Sequence, residues 1–132
     1  FAGGGRMPSG ATFTGALVGS ADGGSTWKRR LETPEEAVDI ACVGARRLWV
    51  VAGGDLYGSR DGGAHWRRQS IPGGAVAKEV AFADRLRGWL IAELKNGDEA
   101  ILATTDGGAT WRRQRIGAAI PSYLTDVVAL KQ

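Results

Sequence analysis

The chain has 132 residues, the length of one average domain, so a single core is expected rather than two. Its 21 glycines are roughly twice the usual share, while proline stops at 4 and hydrophobic residues reach 43%, which excludes collagen-like and disordered classes and, with five tryptophans, points to an all-β chain of tight turns. The net charge of +3 is too small to argue for nucleic acid, and arginine supplies 13 of the 17 basic residues, which suits carboxylate or phosphate partners.

In chain order, the sequence opens on Phe1 with no charged-then-apolar leader, as expected for an exported chain whose signal peptide is gone or for a fragment. Gly3-Gly4-Gly5 lacks a following lysine and helix, so it reads as a flexible hairpin and not a phosphate loop. Residues 1–33 hold a partial repeat unit, completed by a strand expected over 123–131. The second unit, 36–72, predicts strand A at Val38–Val43, with Cys42 as a small core residue, B at Leu48–Val51, C at Asp55–Ser59, and D starting at Trp66. The third unit, 74–117, predicts A at Glu79–Ala83, B at Gly88–Ala92, C at Ala100–Thr104, and D from Trp111, with Asn96-Gly97 as a hairpin signal. Asp126–Leu130 then begins strand A again. Cys42 is the sole cysteine, which excludes an internal disulfide and a paired-cysteine zinc site and leaves the redox compartment open. No apolar run reaches the roughly 18 to 20 residues of a membrane helix.

One phrase occurs three times. Ser20-Ala21-Asp22-Gly23-Gly24-Ser25-Thr26-Trp27 returns as Ser59-Arg60-Asp61-Gly62-Gly63-Ala64-His65-Trp66 and as Thr104-Thr105-Asp106-Gly107-Gly108-Ala109-Thr110-Trp111, with aspartates 39 and 45 residues apart. A second phrase aligns Asp39-Ile40-Ala41-Cys42-Val43 with Glu79-Val80-Ala81-Phe82-Ala83, each followed by a tryptophan, Trp49 or Trp89. A period of about 40 to 45 residues with four short antiparallel strands is that of a β-propeller blade. A β-sandwich would not repeat one turn at one strand pair. The chain holds about three blades' worth, whereas closed propellers have roughly 4 to 8 blades. A piece of a larger propeller, or one completed by other copies, is therefore expected. In the repeated turn, aspartate accepts hydrogen bonds from N–H groups two residues on, the glycines supply positive φ, and tryptophan buries its ring at the start of strand D. Aspartates on different blades cannot converge on one ion, so no metal is expected.

The phrase resembles the Asp-box, or bacterial neuraminidase repeat, with the pattern Ser/Thr-x-Asp-x-Gly-x-Thr-Trp. Asp22, Gly24, Thr26 and Trp27 fit it, as do Asp106, Gly108, Thr110 and Trp111. Asp61, Gly63 and Trp66 fit around His65, which replaces the threonine and predicts a looser turn. With Glu79–Phe82 and Gly88-Trp89, the chain is most similar to photosystem II stability and assembly factor-like propellers, over roughly residues 15 to 130. The resemblance implies a structural turn on the blade rim, an exported, periplasmic or lumenal location, and a non-catalytic role at a membrane complex such as the photosynthetic one.

The chemistry of other propellers is not matched. A sialidase needs an arginine triad, a tyrosine nucleophile and an Arg-Ile-Pro entry; here Tyr57 sits in strand C, Tyr123 in a loop, and only Arg6-Met7-Pro8 is present. Asp98-Glu99 flank a turn and point to opposite faces, which reads as a solvated hairpin rather than a glycanase pair. His65 has no Ser–His–Asp arrangement around it. No catalytic residue, cofactor or metal is expected. What remains is basic: Lys28, Arg29, Arg67, Arg68, Arg112 and Arg113 follow the box tryptophans onto strand D, the outer edge of each blade. They protect that edge against strand pairing, and they form a band suited to an acidic protein surface of a membrane complex or to anionic lipid headgroups. Fragments of a glycosidase propeller and of a receptor ectodomain are the alternatives.

Overall fold

The computed structural model describes residues 2–6, 14–115 and 126–129, and those residues form eleven strands in three antiparallel sheets. The first sheet holds β1 (Ala2–Arg6), β2 (Thr14–Gly19) and β3 (Lys28–Thr33). The second holds β4 (Ala37–Val43), β5 (Arg47–Ala52), β6 (Asp55–Ser59) and β7 (Arg67–Gln69). The third holds β8 (Val76–Phe82), β9 (Gly88–Glu93), β10 (Glu99–Thr104) and β11 (Arg112–Arg113). Each sheet is a meander with its strands in chain order. The architecture is that of successive β-propeller blades. The register repeats as well: Ala41 faces Trp49 and Trp49 faces Gly58, while Ala81 faces Trp89 and Trp89 faces Ala103.

Two local readings of the sequence are corrected. The Gly3-Gly4-Gly5 run is not a flexible hairpin but the middle of β1, paired residue by residue with β2. Close approach explains the glycine, because a Cβ on Gly3 would stand 2.9 Å from the Ala37 Cβ of the next sheet. Strand β8 starts at Val76, ahead of Glu79, because a bulge between Ala77 and Glu79 interrupts the alternation without ending the pairing. A bulge at Ala37/Asp39 occupies the same place in β4.

The sheets pack face to face. Leu17, Val50 and Ala52 are buried between the first and second, with Leu31, Ile40 and Trp66 against them. Between the second and third lie Trp49, Val51, Leu56, Val80, Leu90, Leu102 and Trp111. Trp49 stacks on Phe82 at 3.5 Å between centroids, and Phe82 meets Trp111 edge-on at 6.1 Å. Cys42 is exposed, not in the core: it sits at the end of β4 beside the exposed turn residues 44–46.

The first strands of the blades are tied by carboxylates. Asp39 accepts the N–H of Ile40 at 2.9 Å through Oδ1 and the N–H of Val80, in the next blade, at 2.7 Å through Oδ2. The equivalent Glu79 accepts the N–H of Val127, so residues 126–129 lie beside β8, where the first strand of a further blade belongs. Burial first, then the facing carboxyls of Asp126 and Asp39, raise the Glu79 carboxyl above its ordinary 4.5. Among the described residues, no strand joins β1 on its free side.

Candidate protein-binding face

The repeated turn places strand D and everything beyond it. In each copy the two glycines have positive φ, for example 73° and 87° at Gly62 and Gly63, a backbone that only glycine adopts without strain. The division of hydrogen bonds differs from the expected one. The N–H two residues past the aspartate is taken by the hydroxyl two residues before it: Gly24 by Ser20 at 2.8 Å, Gly63 by Ser59 at 2.9 Å, Gly108 by Thr104 at 2.9 Å. Each of these hydroxyls also donates to its aspartate, at 2.7, 2.9 and 2.7 Å. The aspartate reaches further, to the N–H four residues on, at 2.8 to 2.9 Å. Its second oxygen takes the hydroxyl of Thr26 at 2.6 Å or of Thr110 at 2.5 Å. At His65 the ring Nδ1 lies 2.7 Å from Asp61 Oδ2, in the place of the threonine hydroxyl, so the middle turn is as closed as the others. The Thr26 and Thr110 hydroxyls, then the backbone N–H groups, hold Asp22 and Asp106 down at about 2; the His65 N–H, then its ring, push the Asp61 carboxyl well below the usual carboxylate range.

The three tryptophans hold equivalent positions but are not equally covered. Trp111 is buried, Trp66 half-buried, and Trp27 is 51% exposed. The difference lies in what stands against them. Trp66 donates its ring N–H to Gly63 O and, across the seam, to Arg30 O of β3 at 2.9 Å. Trp27 reaches only Gly24 O of its own turn, at 3.0 Å.

The basic residues of strand D do lie on sheet edges, since β3, β7 and β11 each end their sheet, and all six are exposed. They are not equivalent electrostatically. Arg29 is paired with Glu32, and Arg68 with Asp55 at 2.6 Å, whereas Lys28, Arg67, Arg112 and Arg113 have no ion pair among the described residues. Arg30, three residues past Trp27, turns inward against the second repeat turn. Its counterpart three residues past Trp66 is Gln69, whose amide donates to Gly107 O at 3.2 Å beside the Trp49 ring N–H at 3.1 Å.

Along this second seam runs a cleft of about 440 Å³. Trp49 and Trp66 supply aromatic wall, Gly107 and Gly108 close the far side, and Arg47, Arg60, Arg67 and Arg68 ring it. Arg47 and Arg60 were not among the residues the sequence singled out, because Arg47 precedes the repeat phrase, Arg60 stands at a variable position inside it, and the band that follows the tryptophans includes neither. Arg47, Arg60 and Arg67 have no carboxylate partner among the described residues, and the only acidic group in the lining, Asp61, is committed to its own turn. The buried Gln69 Oε1, on the same wall, has no partner either. The cleft therefore offers three uncompensated guanidinium groups over a partly aromatic floor, a setting for carboxylates on an extended chain.

Other candidates fall elsewhere. Tyr57 lies on β6 opposite Arg68 and Val50. Burial first, then Asp55, raise its phenol, the reverse of an activated nucleophile. Glu99 is not part of a solvated hairpin: its side chain is largely covered and pairs with Lys78 at 3.3 Å, which also holds Glu93 at 2.7 Å. Tyr123, Met7 and Pro8 lie outside the described residues, and among those described no cluster of His, Cys, Asp and Glu could hold a metal.

No protein-family model and no curated protein matches the sequence. Several solved structures are similar, including these two. A YCF48 bound to a D1 peptide aligns with a TM-score of 0.59 and 21% identity over 76% of this chain and 36% of that one. YCF48 from Cyanidioschyzon merolae aligns with a TM-score of 0.63 and 25% identity over 82% of this chain and 35% of that one. The chain thus spans about a third of the length of either structure, and what it shares with them is the β-propeller fold.

Proposed function

We propose that residues 1–132 form one non-catalytic β-propeller domain, part of a larger propeller, acting as an exported, periplasmic or lumenal assembly factor or peripheral subunit of a membrane complex, the photosynthetic one by resemblance. It docks an acidic protein segment in the seam between β7 and the third repeat turn. The observation that carries this reading is the set of unpaired Arg47, Arg60 and Arg67 around one cleft. Two further points support it: the Asp-box-like repeats, and the solved YCF48 that is bound to a D1 peptide. Arg112 and Arg113 on β11, with Lys28 on β3, extend the positive rim beyond the cleft, and anionic headgroups are the second ligand that such a rim would meet.

Titration calorimetry with a synthetic acidic peptide tests the proposal. Binding is expected to weaken steadily as salt rises from about 0.05 M to about 0.5 M, where the Debye length falls to only a few ångströms. The double variant R47E/R67E should lose at least about tenfold in affinity, about 1.4 kcal/mol, while Lys95→Glu, in an exposed turn of the third sheet, should bind as the parent does. Equal binding by R47E/R67E and the parent at low salt would leave the arginines as edge protection alone. Vesicles carrying anionic lipid that bind while the peptide does not would move the site from the cleft to the rim.

A further inference from the structure

One position of the repeat turn changes its chemistry between copies, and it changes at the cleft. Thr26 and Thr110 give neutral hydroxyls to their aspartates, whereas the second turn, which forms one wall of the cleft, has His65, the one histidine of the chain. Closing the turn does not require an imidazole, since a hydroxyl makes the same contact in the other two copies. The ring Nδ1 stands 2.7 Å from Asp61 Oδ2. Asp61 is held well below the usual carboxylate range, and a carboxylate only accepts, so Nδ1 carries the hydrogen of this contact. The nitrogen that gains or loses a proton is then Nε2. It has no partner among the described residues, and the side chain is 90% exposed. The charges that share the cleft with it are Asp61 of the same turn, Arg60 and Arg67 on either side of that turn, Arg68 of β7 with its partner Asp55, and Arg47 at the start of β5. The third repeat turn adds Gly107, Gly108 and Ala109, none of them charged.

We infer that His65 makes the docking of an acidic segment in this cleft depend on pH, with the segment held more tightly when the ring carries its second proton. The inference rests on the cleft being the docking site. Carboxylates seated there meet Arg47, Arg60 and Arg67, and with them either a neutral ring or a further cation with a free N–H at Nε2. Binding and protonation favour each other by the same factor, so the docked segment also draws a proton onto Nε2. A threonine at this position would close the turn without that coupling.

Calorimetry of the full chain with the acidic peptide, its N-terminus acetylated, tests this at about pH 5.5 and about pH 8, either side of the range in which imidazole changes charge. The peptide's carboxylates, ordinarily near 4, stay ionised throughout. The parent is expected to bind about threefold to fivefold more tightly at the lower pH, the scale of one added exposed charge pair. At an intermediate pH, titrations in two buffers of different ionisation heat should show net proton uptake. The ring proton resonances of the single histidine should move toward the imidazolium position as peptide is added. His65→Thr should bind with one affinity at both pH values. Binding that R47E/R67E weakens but that is equal at the two pH values overturns this inference and leaves the cleft reading standing. A pH dependence that persists in His65→Thr also overturns it, and so does binding by the parent without proton uptake, a result that needs no variant to fold. A parent that binds at neither pH overturns the cleft reading and this inference together.

Discussion

At Ser59 one hydroxyl secures both sides of the repeat turn: it donates to Asp61 Oδ1 and accepts the buried Gly63 N–H, with only 3% of the residue exposed. Ser59→Ala leaves that N–H without a partner, so a loss of about 1 to 3 kcal/mol is expected. Thermal unfolding should show it as a fall of at least about 4 °C, since each kcal/mol moves a domain of this size by roughly that much. Asp61→Ala frees the His65 N–H and the Ser59 hydroxyl at once, and it should destabilise the chain visibly more than Arg60→Ala next to it. The aspartates also set the acid limit. Asp22 and Asp106 titrate near 2 in the fold against 3.8 ordinarily, so their contribution is complete above the ordinary value and disappears as pH falls through about 2. Denaturant midpoints should drop steeply between about pH 4 and pH 2, and Asp106→Asn should flatten that slope.

Elements are positioned here by what crosses from one sheet to the next. The third repeat turn is held against β7 by the Gln69 amide and against β5 by the Trp49 ring, both on Gly107 O. Gly108 sits in that contact with φ of 92°, and a Cβ there would collide with the Gln69 amide. Gly108→Ala combines a left-handed backbone with that collision, so it should cost about 2 kcal/mol or more. Gly97→Ala, also at positive φ but in open space, should cost only the backbone part, about 1 kcal/mol. The difference between the two variants in chemical denaturation isolates the seam. Equal losses would mean that the seam gives way without resistance. The same crossing fixes the cleft, since its two walls belong to β7 and to the turn before β11.

For the molecule as a whole, the carboxylates of the first strands carry the repeat from blade to blade. Asp39 reaches Val80 and Glu79 reaches Val127, so the second sheet is tied to the third, and the third to residues 126–129, by one backbone N–H each. Glu79 is held in this role against burial and two neighbouring carboxyls, which raise its titration above 4.5. The sign is opposite to that of the turn aspartates. A raised carboxyl stabilises the fold fully below its ordinary value and less as pH climbs through the raised one. Glu79→Gln keeps an oxygen for Val127 and removes the charge. Near neutral pH it should match or exceed the parent in stability, and the advantage should vanish toward pH 4.5. A variant weaker than the parent across that range would show that the charge itself ties the blades.

Much of this was legible in the residues because it is local. The Asp-to-Trp spacing, the paired glycines and the alternation of strands B and C depend on a few consecutive residues, and a short chain segment with that pattern has few other ways to satisfy its backbone. The threefold repeat then determined the blade. Strand A was read short where the bulge breaks its alternation, and β1 was missed because glycines there serve a contact with Ala37, a residue from another sheet. The tertiary structure alone decided which of three equivalent tryptophans is exposed, which arginines are neutralised, and that Arg47 and Arg60 join Arg67 around one cleft. Burial and ion pairing are properties of neighbours, and the neighbours that matter here stand about one blade away along the chain. A residue's own sequence context sets its backbone, but only packing against the next sheet sets what its side chain can meet.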